Sequence, residues 1–210
     1  MTPWNFFLNH RSEIFHATVD HLTLVVIAMD IAIAIAVPLG MLIVQHRSLR
    51  AIALGFASVF QTIPSLALFG FLIPIPFIGG IGRRTAIVAL VLYALLPILR
   101  NTYVGLSGVD PAILEAAEAM GMTTTQILLR VRLPLALSVI LAGIRTATVI
   151  TIGVATIAAA IGAGGLGTFI FRGVAMVNDS VILAGAIPAA LLAIIADLLL
   201  GQLERRLKVV

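Results

Sequence analysis

The sequence predicts an all-α membrane protein with five transmembrane helices, its N-terminus outside and its C-terminus inside. Of 210 residues, 61% are hydrophobic and 10% charged, and the mean hydropathy is +1.18. Soluble chains average about 25% charged and 45–50% apolar residues. The apolar residues fall into runs of about 20, the length that crosses a hydrocarbon core of about 30 Å. The basic residues mark the ends of those runs. With the N-terminus outside, Arg47, Arg50, Arg100, Arg130, Arg132, Arg205, Arg206 and Lys208 lie inside, and Arg11, Arg83, Arg84 and Arg172 lie outside. Eight against four is the bias of the positive-inside rule.

Residues 1–21 read as an amphipathic interfacial segment, with Trp4, Phe6, Phe7 and Phe15 suited to the membrane–water boundary. They lack a basic start, a short apolar core and a small-residue cleavage site, so no cleavable signal peptide is expected. The first span, 22–44, contains Asp30 and Pro38 and is followed by the basic turn QHRSLR. The second, 51–73, is interrupted at Gln61-Thr62-Ile63-Pro64-Ser65. There the proline removes one backbone bond and polar side chains can satisfy the freed groups, a break of the kind that lines a cavity. Proline and glycine then prevent residues 74–84, PIPFIGGIGRR, from continuing a helix. The third span, 85–106, carries Pro97 and Arg100. The fourth, 134–160, leads a row of small residues four apart, Gly143, Ala147, Thr151, Ala155, Ala159 and Ala163, which lets helix backbones approach closely in lipid. The fifth, 181–203, ends in the basic tail ERRLK, and residues 22–207 form one transmembrane domain.

Several chemistries are excluded. With no cysteine there is no disulfide, thiolate nucleophile or thiolate-bound metal. His10, His16, His21 and His46 show no HExxH spacing, so no metal site is expected. The single lysine, Lys208, has no phosphate-binding loop around it, so ATP-driven work has to be powered by another polypeptide. Gly162, Gly164 and Gly167 match a dinucleotide-type GxGxxG, but they follow a long apolar helix where that motif needs a strand. The arginines are scattered at run ends and form no patch for nucleic acid.

Residues 110–134, DPAILEAAEAMGMTTTQILLRVRLP, are a polar island. Asp110 followed by Pro111 is a helix start, and Gly121 is a stop. Thr123 and Gln126 have capping-box spacing, and Pro134 is expected to open a further helix. The island therefore reads as two short helices around a tight turn, with Ala116, Ala117 and Ala119 keeping the first one thin enough to enter a groove on another protein. A DNA-binding helix-turn-helix has similar spacing, but the apolar spans on both sides and the scarcity of basic residues argue against it.

The order Glu115-Ala116-Ala117, three residues, Gly121, nine residues, Val131, one residue, Leu133-Pro134 closely resembles the EAA loop of ABC-importer permeases. The runs QTIPSLALFGFLIP and RTATVITIGVATIAAAIGAGGLG resemble the permeases of osmoprotectant importers, which carry glycine betaine, carnitine or choline. The resemblance extends over almost all of 22–207. It implies a cytoplasmic loop at 110–134, in which Glu115, Ala116, Ala117, Gly121, Leu133 and Pro134 couple to a separate ATP-binding subunit that holds the ATP and Mg. It further implies a bacterial plasma-membrane location, a second permease copy or paralogue, and alternating access. No C-terminal binding domain follows the fifth span, so an extracytoplasmic substrate-binding protein is expected. The alternatives are a permease of the same fold for methionine, phosphonate or an oxyanion, or a passive channel.

Gln61, Thr62, Pro64, Ser65, Thr146, Thr148 and Thr151 are candidates for the solute pathway, or for hydrogen bonds between helices. Asp30, Arg145 and Asp197 are ionisable residues inside spans, where a charge needs a partner or water. By helical rise, Asp30 lies roughly 12 Å from the outer end of its span and Arg145 roughly 17 Å from the inner end of its own. In a core of about 30 Å these depths coincide, so an Asp30–Arg145 ion pair is expected. Tyr93 and Tyr103 are the only tyrosines, and the one tryptophan, Trp4, precedes the spans. An aromatic cage for a quaternary ammonium is therefore not expected here.

Single cysteines at Gly121 and at Val210, introduced into this cysteine-free chain, should both react with reagent only from the cytoplasmic side. An outside signal at either position would refute the orientation.

Overall fold

The computed structural model describes residues 3–207, and Lys208 and Val210 lie outside the described residues. The order is α1 Pro3–Asn9, α2 Arg11–Gln45, α3 Arg47–Thr62, α4 Ser65–Leu72, α5 Arg83–Ser107, α6 Pro111–Ala119 and α7 Thr124–Ile127. A π-helical turn at Leu128–Arg132 leads into α8 Leu133–Ile157 and a 3₁₀ turn at Ala158–Ile161. α9 Gly167–Ala175 and α10 Asp179–Arg206 complete the chain. No strand occurs among the described residues. Four helices are long and apolar enough to cross a membrane, or five if the bent pair α3–α4 counts as one span.

The core is α2, α5 and α8, and their contact faces are narrow. On α2, Ala28, Ala32, Ala36 and Gly40 form a row four residues apart, all buried. On α8 the expected row is buried at Gly143, Ala147, Thr151 and Ala155. A side chain on Gly40 would strike Thr102 of α5, and one on Gly143 would come within 2.8 Å of the Pro97 carbonyl. Small residues are favoured here because lipid supplies no hydrophobic drive to bring helices together, so packing contact has to do so. Larger side chains, among them Leu24, Leu90, Ile98 and Leu99, fill the space around these seams.

α2 is longer than the span read from sequence. Its 35 residues extend about 52 Å. No glycine or proline interrupts it before Pro38, so residue 21 is not a helix boundary. Phe6, Ile14 and Ala17 pack with Leu166 and Phe169 beside α9 and with Val181 and Ala184 of α10 in a second cluster, while Trp4, Leu8 and Phe15 stay exposed. His21 is fully buried, and its Nε2 lies 3.1 Å from the Ile152 carbonyl of α8. Asp20 beside it pairs with Arg83 at the start of α5.

The interrupted second run bends by 105° between α3 and α4. At 16 residues α3 reaches only about 24 Å, less than a hydrocarbon core. Proline at 64 offers no N–H to the Phe60 carbonyl and holds Ile63 in extended backbone, and the Ile63 carbonyl, outside both helices, accepts the hydroxyl of Tyr93 from α5. The break lies at the predicted place, but a tyrosine on another helix satisfies it.

Because Gly143 meets a backbone carbonyl, Gly143→Ala overpacks the α5–α8 seam and should destabilise the purified protein by about 1–3 kcal/mol. Gly153→Ala, whose added methyl meets nothing within 4 Å in this chain, serves as the control and should leave the melting temperature unchanged or slightly raised. Equal melting temperatures for the two variants would contradict this account of the seam.

Candidate functional site

The loop 110–134 is built from the signals its sequence carries. The Asp110 carboxylate accepts the Ala112 N–H at 2.9 Å, and Pro111 takes the first helical position of α6. At the other end the Gly121 N–H bonds to the Glu118 carbonyl, and the Met122 N–H reaches the Ala117 carbonyl at 3.1 Å. This paired closure is a Schellman motif, and it requires a left-handed residue, which Gly121 provides at φ +77°. Thr123 and Gln126 then form a reciprocal capping box, with bonds of 2.8 and 3.3 Å, that starts α7.

Pro134 does not open a separate helix. From Thr124 to Ile161 the chain is one helical rod of 38 residues. A proline in a regular α-helix crowds the carbonyl four residues back, here that of Arg130. The π turn just before it, closed by the Leu133 N–H on the Leu128 carbonyl, widens the helix at that point and lets the rod continue. α7 is therefore continuous with α8.

Glu115, Ala116, Glu118 and Ala119 are exposed along α6, and Met120 is 75% exposed. Ala117 is buried at 1%, and Leu133 is half-buried. Nothing stands within 4 Å of the position a Gly121 side chain would take. The outer surface of the loop is thus a small-residue ridge flanked by carboxylates, open to a groove on another molecule.

The pathway candidates sit on separate elements. Gln61 and Thr62 end α3, Pro64 and Ser65 start α4, and the other three are on α8. Thr62, Thr146 and Thr148 each donate their hydroxyl to a carbonyl of their own helix at 2.8–2.9 Å, so each offers only lone pairs outward. Thr151 is fully buried and donates to the Met29 sulfur of α2 at 3.6 Å, which places it inside the chain's own packing.

The expected Asp30–Arg145 pair is not formed. Asp30 faces outward from α2. Arg145 is held on α10, with Nε on Asp197 Oδ1 at 2.6 Å, Nη2 on Asp197 Oδ2 at 2.8 Å and Nη1 on Glu204 at 3.3 Å. Depth alone could not choose between acidic partners. The signal that would have chosen was the stripe Asp197, Gly201, Glu204, at i, i+4 and i+7 on one face of α10. Both tyrosines are also engaged. Tyr93 donates to Ile63, and Tyr103 accepts Arg50 Nη1 at its hydroxyl, with the guanidinium carbon 5.2 Å from its ring centroid. Among the described residues no group of three or more His, Cys, Asp or Glu could hold a metal.

A helical core on close-packed seams, with a capped two-helix loop continuous with one core helix, is the architecture of a multi-pass membrane protein. Residues 32–209 match the family of binding-protein-dependent transport system inner membrane components, and the chain belongs to that family. It is 45% identical to the carnitine transport permease protein OpuCB of Listeria monocytogenes, over 96% of this chain and 91% of that one. It is 49% identical to the glycine betaine/carnitine/choline transport system permease protein OpuCD of Bacillus subtilis (strain 168), over 89% and 81% respectively. Its fold matches an inward-facing structure of the MetNI methionine ABC transporter with a TM-score of 0.82 at 23% identity, covering 92% of this chain and 95% of that one. The chain is an inner-membrane permease component, not itself an enzyme.

At position 121 any side chain is strained by roughly 1–2 kcal/mol in the left-handed conformation, and a carboxylate adds charge to an open surface. Gly121→Asp should insert at normal levels and fail to support uptake. Normal uptake at normal expression would remove the loop from the coupling machinery.

Proposed function

We propose that this chain is the permease subunit of an ATP-driven importer for a quaternary-ammonium osmoprotectant: glycine betaine, choline or carnitine. The observation that carries the substrate class is the likeness, over nearly the whole chain, to permeases named for those solutes. In this reading α2, α3–α4, α5, α8 and α10 are five spans with the N-terminus outside, and the loop 110–134 is cytoplasmic. Glu115, Ala116, Ala117 and Gly121 present the ridge that enters a cleft on the ATP-binding subunit. The Leu133 N–H closes the π turn that joins the loop to α8, and Pro134 follows it within the helix. A second permease, a copy or a paralogue, completes the passage, with Gln61, Thr62, Ser65, Thr146 and Thr148 as its candidate polar lining. ATP and Mg bind in the partner. The two permeases then open alternately to a loaded extracytoplasmic binding protein and to the cytoplasm.

Selection of the solute is assigned to the binding protein. A quaternary ammonium has no N–H to donate and is held by aromatic faces, each worth about 0.5–2 kcal/mol. Burial of Tyr93 within the chain's own packing and the Arg50 guanidinium over the ring of Tyr103 support this assignment, since neither ring stands free for a cage.

Uptake of labelled betaine, choline and carnitine, compared in cells with and without this chain, tests the reading. At least one should be lost with the chain and restored with it. Retention of all three, with loss of methionine uptake instead, would overturn the substrate class. The purified permease without its binding protein should show no micromolar binding of betaine or choline, and Tyr93→Ala should lower the transport rate without altering preference. A micromolar site or a changed preference would place selection in these helices.

A further inference from the structure

α10 is fixed unevenly along its length. Its buried residues are Ser180, Val181, Ala184, Gly185 and Ala189, all in its first half, and then only Gly201. At the first end Gly185 packs against the Leu166 carbonyl and Phe169, and Asn178 caps the helix. Beyond Ala189 the larger side chains Ile194, Ile195, Leu198, Leu199 and Leu203 all point away from the chain. The one buried position there, Gly201, lies under the Arg145 guanidinium, and a Cβ would stand 2.9 Å from Nη1. Asp197 and Glu204 flank Gly201 one turn to either side, and both bind that guanidinium. A planar fork on two carboxylate oxygens fixes orientation as well as distance. Leu192, Ala193 and Ala196 still pack against the core, and the last turns of α10 beyond them are held to α8 chiefly by one arginine seated in a glycine notch between two carboxylates.

Arg145 belongs to the rod that begins at Thr124, beside the Gly121 turn. We propose that Arg145 is a positioning residue of the transport cycle: with Asp197, Gly201 and Glu204 it makes α10 travel with the rod, so that movement of the loop 110–134 reaches a second span. This rests on the importer reading above. The clamp does not touch solute. Its loss therefore separates hydrolysis from transport and leaves recognition intact.

The test uses the permease assembled with its ATP-binding subunit and its binding protein in proteoliposomes. Arg145→Gln and Asp197→Asn should each lower the maximal uptake rate per assembled complex by about tenfold, the size of a coupling contribution of this kind. The KM for solute and the rate of ATP hydrolysis should stay within about twofold, so that more ATP is consumed per solute. The exchange Arg145→Asp with Asp197→Arg should recover part of the uptake. Uptake per complex equal to wild type in Arg145→Gln would overturn the proposal, as would variants that lower only the amount of assembled complex.

A second measurement keeps the clamp intact. Spin labels on cysteines at the exposed Leu137 of α8 and Leu203 of α10 should hold one separation with and without bound nucleotide. A change of more than about 3 Å, beyond the shift of a packed helix, would show that α10 moves independently and would overturn the proposal. A wild-type complex that hydrolyses ATP and takes up none of the three solutes would instead overturn the importer reading, and the label separation would still judge the clamp.

Discussion

The near-contact of three helix backbones, α2, α5 and α8, is the constraint on which the rest of this molecule depends. In water, burying leucine and phenylalanine would hold three helices together. In lipid the tails are as apolar as those side chains, so cohesion comes from surface fit and from groups that lipid cannot satisfy. Alanine and glycine rows on α2 and α8 supply the fit. Polar bonds then bridge the helices: Tyr93 to the broken α3–α4 run, Thr151 to Met29, and His21 to the Ile152 carbonyl. Each uses a partner on another helix: the first ties the broken run to the core, and the other two join α2 to α8.

Much of this was legible in sequence where the controlling signal is local. The Asp110 cap, the Gly121 stop and the Thr123–Gln126 box each depend on residues within four positions of one another, and each formed where its spacing put it. The Pro64 break likewise follows from the chemistry of one residue. The row on α8 was read correctly, but the equally regular row of Ala28, Ala32, Ala36 and Gly40 on α2 went unread, although it has the same period.

What resisted reading was anything decided by which face of a helix meets which neighbour. Asp30 is exposed on α2, whereas Arg145 is held by Asp197 and Glu204 on α10. Pro134 misled for a different reason. Its chemistry does end a regular α-helix, but a widened turn just before it lets the helix persist, and no residue of Leu128–Arg132 advertises that turn. The helix α2 begins well before residue 22 because Asp20 and His21, although polar, do not break it and are tied to Arg83 and to the Ile152 carbonyl.

The rod from Thr124 to Ile161 has glycine joints at both tips. Gly121 lies before it, and Gly162, Gly164 and Gly165, all with positive φ, lie after it. Between the tips it is packed from Ala136 to Ala158, and its closest approach to α5, at Gly143, lies near its middle. Such a member is a lever with its fulcrum inside the protein. At 38 residues it is about 57 Å long, so a tilt of roughly ten degrees about the centre carries each tip some 5 Å, in opposite directions. A pull at the Gly121 end therefore arrives at the far glycine turn as a push of similar size and reversed sense. In the importer reading proposed above, one rigid body would thus widen one mouth of the passage as it narrows the other.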